Sequence, residues 1–463
     1  MLSYLSMREN NIAKRLDALT IELLLVRFVS LFFGVLTDKT EARYAEIGRK
    51  MLETGDYITP LADYGVPFWA KPPLSFWATA GSFKLFGANE FAAHLPHFLF
   101  MLGVLVLAYL FAKRHFGTLA ASVSALVLAT MPMFLYLAGG VMTDPALAFC
   151  VMLSLVGFYN GIEGGADARR CGHMFFVGCG LAMLAKGPIG LILIGFPIGL
   201  FVIMKGKWRE LWKRLPWVGG TLLATAIALP WYILAELKTP GFLEYFIVGE
   251  HYKRFVIPDW QGDLYGNAHL RPFGAIWLFY FLLMLPWSAW LALRIKNAGK
   301  AIKDDTALYM TLCSLAPAIF FTFSRHTLPT YIAASLAPTA ILAAVVACKE
   351  AVPRMEKFYG AFALALVLVG ATFFMPYIAK RLDKTDKYFV KAYEESRSSP
   401  DIPLVYFNMH RFSGEFYTAG KIKIVDDLSG ADEIFVITEK DGNAPFGEEI
   451  LRQKKRVLLR IRK

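Results

Sequence analysis

The chain has 463 residues, of which 56% are hydrophobic and only 19% charged, with a formal net charge of +12. A soluble domain is typically about 45–50% apolar and about 25% charged, so the composition excludes an ordinary water-soluble enzyme. The basic residues lie mostly in short loops between apolar runs, which argues against nucleic acid as a partner and for the positive-inside pattern of a polytopic membrane protein.

In chain order, the first residues, MLSYLSMRENNIAKRLD, show no short apolar core with a small-residue cleavage site, so the first apolar run is expected to stay as an anchor. Runs of roughly twenty apolar residues cross ~30 Å of hydrocarbon as helix. They predict about eleven spans, at 19–37, 91–112, 118–138, 144–162, 173–186, 187–204, 215–236, 272–293, 306–324, 328–348 and 357–379. The pair 173–186 and 187–204 is divided at KGP because Gly187 and Pro188 are poor helix-interior residues. With the amino terminus placed in the cytoplasm, the cytoplasmic loops hold KRHFG, ADARR, KGKWRELWKR, RIKNAGKAIK and KEAVPRMEK, and every one is basic. The opposite short loops, around GGVMTD, AKGP and SRHT, carry few basic residues.

Three long pieces then face outward: 38–90, 237–271 and the tail from about 380. In the first, TEARYAEIGRKML puts Tyr44, Ile47 and Met51 on one face, with Glu46, Arg49 and Lys50 away from it on a solvated face, as an interfacial amphipathic helix does. PPLSFWATAGSFKLFG predicts a second short helix with Pro at its first turn and Gly at its end. The tail changes character: IPLVYFN, KIKIVDD, EIFVITEK and KRVLLRIRK are short β-type runs, and they predict a small α/β or β-rich outer domain over 380–463, following a membrane domain over 1–379. The five cysteines lie in or beside apolar runs, with no CxxC spacing.

The polar candidates all fall on the outer side. They are Asp38 and Glu41 at the start of the first loop, Asp144 in MTDPALAF, Lys71 in WAKPP, Lys186 in LAKGP, Glu250, His251 and Arg254 in VGEHYKRF, and Arg325 and His326 between two spans. Ionisable groups at membrane depth are costly unless paired or hydrated, so they mark function. Transfer of a sugar from a polyprenyl phosphate needs this mixture. The leaving phosphate gains charge that Lys or Arg stabilises without a metal, an acceptor hydroxyl needs a carboxylate base, and the lipid tail demands a site at the bilayer surface. Plainer roles stand beside these. Asp144 before Pro145 caps a helix, Lys71 snorkels to a headgroup, Glu41 and Arg43 sit on a solvated face, and His251 is structural, since Glu250-His251 adjacency is not metal-ligand spacing. The remaining histidines His94, His97 and His269 form no cluster.

TEARYAEIGRKMLETGDYITP followed by WAKPPLSFWATAGSFKLFGANEFAAHLP resembles the bacterial aminoarabinose lipid A transferase family, GT-C glycosyltransferases related to the protein O-mannosyltransferases. MTDPALAF, LAKGPIG, FIVGEHYKRF and RHTLPTYIAAS match later blocks in the same order, over roughly residues 35–345. The resemblance implies a polytopic α-helical GT-C fold and an inverting transferase that uses an undecaprenyl-phosphate sugar at the periplasmic face of the inner membrane. Carried over by motif, Asp38 or Glu41 and Asp144 are the catalytic acids, and Arg43, Lys71, Lys186 and Arg254 grip the lipid phosphate. Tyr44, Glu250, His251, Arg325 and His326 are accessory candidates.

Three positions depart from the family pattern. Thr40 stands where the family has Asp before the Glu of its first block. Ala70 replaces the Glu before KP, an acid that can share a metal site with the GEH histidine, so the expectation is no required cofactor, with His251 the sole candidate for a divalent metal. His326 replaces the Lys before LPTY.

The acceptor is expected to be lipid A, another envelope glycan or a protein. The expected location is the bacterial inner membrane, with a cytoplasmic amino terminus and a periplasmic site and carboxy terminus. Two rivals are a protein O-glycosyltransferase and a lipid-linked sugar transporter. Transporters often carry inverted repeats and a site at the bilayer midplane. Here no repeat is evident and the polar groups lie at one face.

Overall fold

A long helix, α1 (Leu2–Ser30), and one 3₁₀ turn (Leu31–Phe33) lead to the first loop. The first span was expected at 19–37. The helix instead starts far earlier and ends at Ser30, because Arg8, Glu9, Lys14 and Arg15 before 19 are good helix formers and the chain is extended from Gly34. The computed structural model describes residues 2–257, 260–266, 270–350, 355–428, 432–439 and 445–462. His269 and part of the KEAVPRMEK loop lie outside the described residues.

The first loop carries α2 (Thr40–Thr54), a small antiparallel pair β1 (Leu61–Asp63) and β2 (Val66–Pro67), and α3 (Leu74–Phe86), which is stopped by Gly87 at φ 78°. Tyr44, Ile47 and Met51 of α2 are buried as their spacing predicts. The polar face is not solvated: Glu46 and Lys50 are 0% exposed and Arg49 is also buried. That expectation is overturned because the carboxy-terminal domain covers the face, with Lys50 Nζ 2.8 Å from Glu415 Oε2, while within α2 Arg49 Nη2 pairs with Glu46 Oε1 at 2.7 Å.

The membrane domain continues with α4 (Glu90–Ala129), which breaks at Gly117 (φ 88°, ψ 173°), and the short α5 (Pro132–Leu137). Next come α6 (Asp144–Glu163), α7 (Ala168–Lys186), α8 (Pro188–Lys205), α9 (Trp208–Arg214) and α10 (Trp217–Lys238). The break at Gly117 and the break between α7 and α8 fall where the sequence divides neighbouring spans. A π-helical segment (Glu244–Lys253) runs into α11 (Arg254–Val256). It is followed by α12 (Ala275–Leu283), α13 (Trp287–Ala292), α14 (Ile295–Ala301) and α15 (Asp305–Phe321). A 3₁₀ turn (Pro329–Ser335) leads into α16 (Leu336–Glu350), and α17 (Met355–Thr372) and α18 (Met375–Arg381) follow.

Among the described residues, five helical stretches are long and apolar enough to cross a membrane, and α17 with α18, bent by 52°, makes a sixth if the pair is one span. The most enclosed is α6, with 89% of its apolar window buried, against 28% for α10 at the periphery. Small residues let α6 and α7 approach closely as an antiparallel hairpin. A Cβ on Gly157 would lie 2.5 Å from the Phe175 backbone nitrogen, and one on Gly178 would lie 2.8 Å from the Cys150 carbonyl oxygen. The hairpin brings the first residue of α6 beside the last residue of α7.

The tail forms α19 (Lys387–Ser396), β3 (Leu404–Phe407), α20 (Phe412–Tyr417), β4 (Lys423–Val425), β5 (Glu433–Glu439), β6 (Glu448–Arg452) and β7 (Arg456–Arg462). The sheet order is β4-β3-β5-β7-β6, parallel across β4-β3-β5 and antiparallel across β5-β7-β6. Four strands match the predicted runs, and β6 was not foreseen. The sheet and α19 share a core of Phe389, Tyr393, Tyr406, Phe435 and Leu458. By contrast, α20 turns its Phe416, with Phe412 and Tyr417, into the core of the membrane domain.

Candidate active site

Asp144 opens α6, and Lys186 closes α7. The hairpin sets Lys186 Nζ 2.8 Å from Asp144 Oδ1, with both side chains largely buried. Asp144 caps nothing: Thr143 holds the N-cap position, and the carboxylate is turned to the lysine. The Lys186 ammonium also lies 4.8 Å from the centre of the Tyr331 ring, in the 3₁₀ turn after His326. Gly187, at φ 78°, lets this corner close: a Cβ there would lie 2.6 Å from the Phe246 ring.

Glu250 gathers a second group of charges. Lys71 Nζ lies 3.3 Å from its Oε2, Arg254 Nη1 lies 2.9 Å and 3.0 Å from its two oxygens, and Tyr245 OH donates to Oε1 at 3.3 Å. Arg254 also reaches Asp263 at 3.4 Å. Burial opposes charge on Glu250, but Lys71 and Arg254 together outweigh it and hold the carboxyl below its ordinary range. Two residues beyond Asp263, the Tyr265 carbonyl accepts from Arg43 Nη1 at 2.7 Å. Lys71, Arg254 and Arg43 therefore converge on one stretch of chain, residues 250–265. The next residue after Glu250 joins this group to the first, since His251 Nε2 lies 3.2 Å from the Lys186 carbonyl oxygen.

The remaining candidates are placed as follows. Tyr44 packs in an aromatic cluster with Phe68 and Phe76. Glu41 Oε2 accepts from the Thr37 hydroxyl at 2.6 Å. Asp38 is drawn away from the cations: its carboxylate meets Arg411 Nε at 3.2 Å and the backbone nitrogen and hydroxyl of Ser413. Burial pushes the Asp38 carboxyl above its ordinary value, against the pull of Arg411. Arg325 is exposed, with its guanidinium over the Phe273 ring, and His326 is buried.

His251, the metal candidate, is turned to backbone carbonyls. Its Nδ1 lies 2.7 Å from the Phe246 carbonyl oxygen and its Nε2 faces another carbonyl, so neither nitrogen is turned to a free site. Burial lowers the affinity of the ring for a proton. Among the described residues no three His, Cys, Asp or Glu side chains are grouped to hold a metal ion.

Sequence reasoning missed several participants. Tyr331 lies inside the quoted LPTYI block. Asp263 and Tyr265 sit in an unpatterned loop with no local signal. Arg27, a charge inside an apolar run, was legible as such. Its Nε donates to the Leu135 carbonyl at 3.0 Å, while His94 Nδ1 lies 2.5 Å from the Gly139 carbonyl oxygen. Together they hold the turn that leads to Asp144.

A family model described as dolichyl-phosphate-mannose-protein mannosyltransferase matches residues 16–246. The undecaprenyl phosphate-alpha-4-amino-4-deoxy-L-arabinose arabinosyl transferase of Pseudomonas aeruginosa is 30% identical over 337 residues, covering 70% of this chain and 58% of that protein. The Enterobacter protein of the same name is 29% identical over 342 residues, covering 73% and 60%. The chain thus spans 58–60% of the length of these two relatives. In fold, it is similar to the crystal structure of ArnT from Cupriavidus metallidurans bound to undecaprenyl phosphate, with a TM-score of 0.82 at 21% identity over 96% of this chain and 97% of that one. The Archaeoglobus fulgidus oligosaccharyltransferase in its apo form gives a TM-score of 0.50 at 12% identity over 88% and 64%. The shared architecture is GT-C, and with the blocks matched in order along the sequence, the chain belongs to the aminoarabinose-transferase-like family of GT-C membrane glycosyltransferases.

Proposed function

We propose that the chain is an inverting glycosyltransferase that moves a sugar from undecaprenyl phosphate to lipid A or another cell-envelope acceptor. The supporting observation is the convergence of Lys71, Lys186, Arg254 and Arg43, from four distant parts of the chain, on the second outer loop and the α7–α8 corner. The names of the relatives supply the donor, and the acceptor class is carried over from the resemblance of the sequence blocks. In this reading the chain crosses the inner membrane about eleven times, with its amino terminus in the cytoplasm. The site, the 38–90 loop and the 380–463 domain are periplasmic.

The donor phosphate takes the place of Glu250 as partner of Lys71 and Arg254, with Lys186 and Arg43 completing its coordination. An acceptor oxygen attacks the anomeric carbon from the face opposite the phosphate. The carbon–oxygen bond to the phosphate breaks, and the electron pair leaves on a phosphate whose new charge the four cations stabilise. Glu41 is the first-loop acid carried forward, because Asp38 is engaged by Arg411 and Ser413. Glu41 takes the proton when the acceptor is a hydroxyl and orients the acceptor when it is already a phosphate. Asp144 keeps Lys186 aimed. No metal step enters.

In purified, membrane-inserted protein Lys71→Ala abolishes transfer from an undecaprenyl-phosphate sugar and Asp144→Asn lowers it by roughly 10- to 150-fold, and normal transfer by either refutes the site. The match to a protein mannosyltransferase model supports a second reading, in which the acceptor is a protein hydroxyl. Mass spectrometry with and without the protein decides between the two: loss of a lipid A mass increment supports the first, and loss of a glycan from periplasmic peptides the second.

A further inference from the structure

We propose that the carboxy-terminal domain is part of the donor site, with Phe412 of α20 serving as a wall of an aromatic cage that holds the Arg43 guanidinium for the lipid phosphate. The inference rests on the donor-site reading above and names a residue that the reading does not contain.

The four candidate cations differ in one respect. Lys71 and Arg254 are paired with Glu250, and Lys186 with Asp144. Arg43 has no carboxylate partner among the described residues. Its guanidinium lies 5.4 Å from the Phe68 ring centre, 5.6 Å from Tyr44 and 5.8 Å from Phe412. One nitrogen donates to the Tyr265 carbonyl, and the buried Nε has no partner. Ring faces hold a cation without neutralising it. No carboxylate therefore competes for Arg43 among the described residues, whereas a phosphate must displace Glu250 from Lys71 and Arg254.

Two of the cage rings come from the first loop and one from the tail, and the tail ring is fixed in register with the loop. Arg411 and Ser413, the immediate neighbours of Phe412, both bind the Asp38 carboxylate, five residues before Arg43. Asp38 N donates to the Lys384 carbonyl at 2.9 Å. Arg411 is in turn held by Asp383 and Asp386, which Arg456 of β7 binds from the far side. A second clamp joins Lys50 to Glu415, and a third joins Lys387 to Glu90. With Phe416 and Tyr417 in the membrane-domain core, α20 is anchored at both ends over the loop. Asp38 then serves to position Phe412 through Arg411 and Ser413.

The test is binding of undecaprenyl phosphate to the full-length, detergent-solubilised chain, alongside donor KM and kcat. Phe412→Leu weakens binding about 2- to 30-fold, the range for loss of one cation–ring contact, and raises donor KM with kcat little changed. Phe412→Tyr, which keeps a ring face, recovers most of the affinity. In an Arg43→Gln background, Phe412→Leu has no further effect. Should Phe412→Leu unfold the chain, Arg411→Gln loosens the bracket without touching the ring and raises donor KM in the same way. Lys71→Ala separates this inference from the donor-site reading. If Lys71→Ala leaves undecaprenyl phosphate binding intact, the donor site itself is misplaced. If Lys71→Ala weakens binding while Phe412→Leu does not, or acts equally with and without Arg43, the cage is overturned and the donor site stands.

Discussion

Removing Asp144 and Lys186 singly and together separates a structural strut from a phosphate ligand. At 2.8 Å, two unit charges in surroundings of effective dielectric about 20 attract by about 6 kcal/mol. Desolvation returns most of that, so the measurable quantity is the cost of stranding one charge. Removing a single partner of a buried pair costs about 3–5 kcal/mol, whereas replacing both with apolar side chains of similar volume is close to neutral. Asp144→Leu and Lys186→Met should each lower thermal stability markedly, and the double variant should return close to the parent. Transfer behaves differently. A charge-assisted hydrogen bond to the phosphate contributes about 1.5–3 kcal/mol, or roughly 10- to 150-fold in rate or affinity, and the double variant lacks it. Thermal unfolding in detergent, followed by transfer from an undecaprenyl-phosphate sugar in vesicles, gives both readouts. A double variant that regains stability and full transfer together reduces the pair to a strut and refutes its place in the site.

Other expectations follow from the same contacts. Glu250→Gln removes the anion that competes for Lys71 and Arg254, so undecaprenyl phosphate should raise the melting temperature of this variant more than that of the parent, and a smaller rise contradicts the exchange of partners. Glu41→Gln should lower kcat with a hydroxyl acceptor. Asp38→Asn should lower the melting temperature and raise donor KM with kcat preserved, and a collapse of kcat would return Asp38 to the chemistry. Burial holds His251 below its ordinary proton affinity, so below about pH 6.5 the unfolded chain takes up the proton first and stability falls as pH falls. In His251→Gln the decline in melting temperature between pH 7 and pH 5 should be shallower, and identical slopes refute the burial argument. With both His251 nitrogens facing carbonyl oxygens, chelation with EDTA should leave transfer unchanged, and a loss restored by a divalent ion would count against the site as drawn.

The parts of the site legible in the sequence are those written in local preferences. Gly117 and Gly187-Pro188 mark helix breaks through the conformations that Gly and Pro favour, and the stop after Lys186 sets that lysine at the end of its helix opposite Asp144. The spacing of Tyr44, Ile47 and Met51 named the buried face of α2, because helical periodicity depends on neighbours three and four residues away. What occupies the other face depends on residues hundreds of positions distant. Glu415 lies 365 residues from Lys50 and Ser413 lies 375 from Asp38, and only the folded chain turns a polar face into an interface and a catalytic candidate into an anchor. The strand β6 escaped notice because GEEILRQ alternates weakly and is held by its partner β7. The sequence alone determined the membrane class, the helix stops and the list of charges. The tertiary structure decided which charges face each other, since Coulomb attraction and burial depend on separation in space and not along the chain.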